Sequence, residues 1–122
     1  MKFFTEQIVV VRPARIVEKY NPEGEFLSFD PADGVQRIPV PFGVEVQPRA
    51  VVETDDNDTR VATHTVLWVC TPTGRDIDVE PTDRVAYRGR DHEVVGEIKR
   101  WPSPDHESGV DHVEFTIEFK NG

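Results

Sequence analysis

The chain reads as an all-β domain, a small six-stranded antiparallel barrel or sandwich, and three observations predict it. Ten prolines and eight glycines are spread along 122 residues, so few windows run long enough for a helix. Short apolar runs recur between turn signals. The clearest run, Val113, Phe115, Ile117 and Phe119, alternates with His112, Glu114, Thr116 and Glu118, which is the period of a half-buried strand.

The first strand is expected over Ile8–Val17. Pro13 interrupts it and cannot donate to a ladder, so the strand is an edge, is bulged, or bends there. A long loop of about 18–42 follows, with turn chemistry at Asn21-Pro22-Glu23-Gly24, Asp30-Pro31 and Asp33-Gly34. Phe26, Leu27 and Phe29 are too apolar for a solvated linker. They are expected to meet a neighbouring subunit, or to fold back as a weak hairpin.

Gly43–Ala50 alternates as a strand ending near Pro48. The run from Glu53 to Asp58, including Asp55 and Asp56, sets four acids in six residues and reads as an exposed loop. It lacks the bend glycine and distal glutamate of a calcium-binding loop. Arg60–Cys70 is the longest expected strand, and Cys70 sits in it as a small buried hydrophobe. Corners fall at Thr71–Gly74 and Asp78–Asp83.

Arg84–Tyr87 and His92–Val95 flank Arg88-Gly89-Arg90-Asp91, a hairpin signal. Gly96 suggests a bulge in the returning strand, which runs on to Trp101 before the loop Pro102–Gly109.

One domain accommodates the whole of 1–122. The formal net charge of −9 repels phosphate, which argues against tight non-specific nucleic-acid binding. A single cysteine excludes an intramolecular disulfide framework. The N-terminal residues lack a signal-peptide core, and no stretch approaches the length of a membrane span, so a cytosolic setting, or a particle assembled there, is expected.

No template for catalysis is met. The serines Ser28, Ser103 and Ser108 lack a nucleophile elbow, and no phosphate-binding loop, dinucleotide fingerprint or C-x-x-C is present. His106 and His112 crowd with Asp105, Glu107 and Asp111, but their spacing matches no familiar metal site. The expectation is a protein with no catalytic residue, no metal and no cofactor. His64 and His92 read as packed, hydrogen-bonded rings. Trp101, beside its Pro-rich loop, reads either as an interface anchor or as a cap on the end of the barrel.

An ordered series of elements resembles the head-to-tail stopper, or head-closure, family of siphophages. The series begins with Val9-Val10-Val11-Arg12, Asn21-Pro22-Glu23-Gly24 and Phe29-Asp30. It continues with Pro41–Arg49, Thr71–Ile77, Pro81–Val85 and Arg88-Gly89-Arg90. Val94–Glu97, Trp101–Pro104 and Gly109–Glu114 complete it. His92 departs from the pattern, standing where an aromatic, usually tyrosine, is common.

The resemblance implies a structural virion protein of the phage neck, assembled in the host cytoplasm and not an enzyme. It would form a homo-oligomeric ring between the portal and adaptor on one side and the tail terminator or tail tube on the other. It would help retain packaged DNA, pass close to that DNA without reading its sequence, and contact no membrane. Another neck protein, such as a tail terminator, is the second reading, and a metal- or ligand-binding β-barrel the third. The residues expected at interfaces or in a channel loop are Tyr20, Phe26, Leu27, Phe29, Asp55, Asp56, Trp101 and His106.

Overall fold

A computed structural model describes residues 3–18, 21–54 and 61–119. The fold is all-β, and its one described helical turn is a three-residue 3-10 segment at Pro31–Asp33. The strands are β1 (Val9–Arg12), β2 (Ala14–Glu18), β3 (Asn21–Ser28), β4 (Gln36–Pro39), β5 (Glu45–Thr54), β6 (Val61–Cys70), β7 (Arg84–Tyr87), β8 (Arg90–Pro102) and β9 (Val110–Glu118). Seven form one antiparallel sheet in the order β4-β1-β7-β8-β9-β6-β5, while β2 and β3 form a separate two-stranded sheet. The strand count thus exceeds the six expected.

Pro13 explains the division. It separates β1 from β2 by a single residue, and the chain leaves one sheet for another at this corner. Of the three alternatives for that proline, the bend is the one realised. β1 is not an edge, being hydrogen-bonded to β4 on one side and β7 on the other.

The expected 18–42 loop is corrected on the same ground. Asn21–Ser28 pairs with β2 in the register Arg15↔Leu27 and Ile16↔Phe26, and Gln36–Pro39 pairs with β1. Asp30-Pro31 and Asp33-Gly34 mark the joint between β3 and β4, whereas Asn21-Pro22-Glu23-Gly24 lies within β3, and Asp30 caps the 3-10 turn by accepting from Ala32 N at 2.9 Å. β5 likewise runs past Pro48 to Thr54. As the last strand of the sheet it is partnered on one side only, which leaves room for a residue with no N–H.

The turn between β7 and β8 has two residues, Arg88 at φ 50° and Gly89 at φ 78°, the left-handed pair that a tight hairpin of this twist requires. Gly96 at φ 73° lies within the register shift between Val95 and Lys99, the expected bulge.

One face of the large sheet is the core. Val10, Val69, Val85, Val113, Phe115 and Ile117 are buried there with Val44. Phe119 does not join them: β9 ends at Glu118, and Phe119 is 42% exposed. The loop between β6 and β7 supplies two core residues of its own, Ile77 and Val79. Arg100 donates from Nη2 to both of their carbonyls, at 3.0 and 2.8 Å, so the loop's backbone is satisfied where it crosses the core.

The large sheet is not a closed barrel, since its end strands β4 and β5 do not pair with each other. Among the described residues the isolated bridge is Glu6 to Val44, with N···O distances of 3.0 and 2.9 Å. Gly43 stands beside this bridge against the backbone of Phe4, where a Cβ would collide with the Phe4 carbonyl.

Phe115→Ala removes the largest fully buried side chain among the described residues. The expected loss is about 3–5 kcal/mol in urea unfolding, with the midpoint falling and the slope unchanged.

Candidate functional site

Two places gather the candidate residues. The first is the β2–β3 hairpin, an arm built outside the main sheet. Val17, Phe26 and Leu27 are 62, 48 and 37% exposed on it. Cross-strand pairing puts Ile16 with Phe26 on one face and Arg15 with Leu27 on the other, so the arm is apolar on both sides. An isolated two-stranded hairpin is marginal in water, and apolar groups on both faces favour a covering partner.

The arm is anchored at both of its crossings to the sheet. At one, Arg12 bridges Asp83 Oδ2 at 3.0 Å and Asp78 Oδ2 at 3.1 Å, and its Nε adds a bond to Asp83 Oδ1 at 3.3 Å. Asp83's side chain is fully buried, and its Oδ2 also accepts from Glu80 N at 2.8 Å. Hydrogen bonds to Asp83 and then Asp78 raise the Arg12 guanidinium far above its ordinary pKa, so its charge is fixed. At the other crossing Phe29 lies under Arg84, whose guanidinium carbon is 3.8 Å from the ring centroid. A cavity of about 290 Å³ remains beneath the arm, between Arg12, Arg15, Leu27 and Glu80.

The second place is the end of β8. Trp101 is 47% exposed and stacks on His112, with centroids 6.1 Å apart and planes at 29°. An open groove of about 440 Å³ runs along Glu97–Trp101. His112 Nδ1 lies 2.7 Å from Asp111 Oδ2, and His106 Nε2 lies 3.6 Å from Asp111 Oδ1. The half-buried His106 is held against Gly74, with a Cβ there 3.0 Å from Nδ1. Trp101 and His106 are thereby brought together through His112 and Asp111, while Phe26, Leu27 and Phe29 belong to the arm.

Tyr20, Asp55 and Asp56 lie outside the described residues, as does the side chain of His64. Three or more metal-ligating side chains converge nowhere among the described residues. Cys70 is buried, and its thiol is pushed up to about 11, chiefly by burial and then by Glu114, Glu45 and Asp111. His92 is the packed ring expected, 5% exposed, with Nδ1 at 3.3 Å from Val85 O and 3.1 Å from Arg90 O. Among the described residues no helix is long and apolar enough to cross a membrane.

The residues that sequence reasoning missed are Arg12, Asp78 and Asp83. Their one signal was an arginine directly before the corner proline.

Arg12→Ala leaves the buried Asp83 carboxylate without its cation, and the expected cost is about 3–5 kcal/mol by urea unfolding. Arg12→Lys keeps the charge but loses the two-pronged bond, and falls between wild type and Ala. No protein-family model and no curated protein matches the chain, so sequence pattern and geometry together carry the functional reading.

Proposed function

We propose that this chain is a structural subunit of the head-to-tail connector of a tailed phage, of the stopper or head-closure type. The observation that carries the reading is the arm. It stands off the main sheet on two anchored crossings and exposes Val17, Phe26 and Leu27. A subunit that works by docking needs apolar surface its own core does not use, offered on a rigid mount. The all-β architecture and the ordered series of turns point the same way.

In this reading the coiled sheet, with the Glu6–Val44 bridge, acts as a near-barrel body. Copies form a ring between portal and adaptor above and tail below, and the arm meets a neighbouring subunit. Trp101 supplies a second anchor at the end of β8. The net charge of −9 lets DNA pass without adhering. A tail terminator, which typically sets helices against its sheet, fits less well with a chain whose described helix is one three-residue turn.

Cryo-electron microscopy of the assembled particle tests the assignment, and density for this chain is expected between portal and tail tube. Its appearance in another part of the virion, or outside any phage particle, overturns the assignment. The triple variant Val17→Asp, Phe26→Asp, Leu27→Asp is expected to keep a wild-type β-sheet spectrum while incorporation into particles falls at least tenfold. Undiminished incorporation removes the arm from the assembly interface.

A further inference from the structure

We infer that the open side of β8 along Glu97–Trp101 is a slot for strand addition, taking an extended, lysine- or arginine-bearing segment of a partner protein. The inference names what this end of β8 receives, and it holds whether or not the chain is a phage subunit.

β8 has 13 residues, but β7 has four and pairs only with Arg90–Glu93. Over Lys99–Pro102 its one strand partner among the described residues is β9. The direction of the free groups follows from β9. Val113 N donates to Thr71 Oγ1 at 2.8 Å, and Val113 O accepts from Thr71 N at 2.9 Å. The backbone of Val113 therefore faces the β6 side and turns away from β8. Arg100 lies opposite Val113, so theirs is a non-hydrogen-bonded pair. Its N–H and C=O point to the open side, while Lys99 and Trp101 bond to β9.

The groove of about 440 Å³ lies on this side. Glu97, Ile98, Lys99, Arg100 and Trp101 line it, and β9 contributes nothing. Five consecutive residues of one strand line a groove together where it passes beside the strand, not over one face of the sheet. The strand is held stiff for an incoming ladder. The Arg100 side chain is tied to Asp76 and to the carbonyls of Ile77 and Val79, and Trp101 is braced by His112. Gly96, at φ 73°, sets the bulge that precedes this stretch.

Charge selects the occupant. Glu97 lies in the groove, Glu114 stands opposite Lys99 on β9, and Asp105, Glu107 and Asp111 follow in the loop beyond Trp101. The cations nearby are fewer: Lys99, Arg49 in the adjoining cleft over Trp68, and Arg100, already held by Asp76. A basic strand complements this excess, its backbone pairing with Arg100 and its apolar side chains meeting Ile98 and Trp101. A second copy of this chain, also at −9, brings like charge to the slot. Its sheet-end strands β4 and β5 also each contain a proline, Pro39 and Pro48, which cannot donate.

The test titrates the full chain with a short capped peptide of alternating lysine and valine, followed by backbone amide NMR. Shifts are expected along residues 97–101, and the Arg100 amide, open to water in the free protein, is expected to gain about tenfold protection from hydrogen exchange. A glutamate–valine peptide of the same length is expected not to bind. Methylating every valine amide, or every lysine amide, blocks one edge of the peptide. One of the two sets is expected to abolish binding and the other to leave it. Glu97→Lys, checked for a wild-type amide spectrum elsewhere, is expected to weaken the lysine–valine peptide about tenfold. Unprotected Arg100 at saturating peptide, equal binding of the glutamate peptide, or binding that survives both methylated sets overturns the inference. Shifts in 97–101 that grow with protein concentration alone make a second copy the occupant and overturn the choice of partner.

Discussion

A buried carboxylate must keep a cation, and in this chain that constraint ties an arm to a sheet. Asp83 is fully buried, and Arg12 reaches it with two nitrogens while holding Asp78 with a third contact. Arg12 is also the last residue of β1 before the Pro13 corner. One ion pair therefore fixes three things together: the end of the sheet strand, the loop that leads into β7, and the direction in which β2 departs. Losing a buried partner costs far more than losing a surface ion pair, because the remaining charge cannot return to water without local unfolding. The arm's surface is thus fixed by electrostatics at its root, while its own two strands contribute little stability.

The loop between β6 and β7 obeys a similar logic. It places Ile77 and Val79 in the core with no strand neighbour to accept their backbone groups. Arg100 reaches across from β8 and supplies the missing donors. Two arginines, Arg100 on Ile77 and Val79 and Arg12 on Asp78 and Asp83, let irregular backbone close a core that strands alone leave open.

Much of the sheet could be read from the sequence because its signals are local. Alternation in β9 and the bulge at Gly96 depend on nearest neighbours and lie where the pattern placed them, while the turn expected over Arg88–Asp91 tightens to Arg88-Gly89, with Arg90 and Asp91 already in β8. Asn21–Ser28 was harder. Its Pro22 and Gly24 are turn formers, and it becomes a strand because β2 lies in register beside it. β4 needed its pairing with β1 for the same reason. Phe119 continues the alternation of β9 in sequence but has passed the last strand residue, so it is half in water. Of the candidate residues, Phe26, Leu27 and Trp101 were legible as large apolar groups in poor surroundings for burial. The Arg12–Asp83 pair, 71 residues apart in the chain, was not, because nothing local marks such a partner.

Pro48 has a further consequence for how the molecule behaves in a crowd. β5 closes the sheet order, so its outer side is an unzipped hem where a foreign strand could add itself. A residue with no N–H in that hem withholds a rung from any such ladder. The molecule can then expose a ten-residue border strand and still resist runaway fibre growth along it.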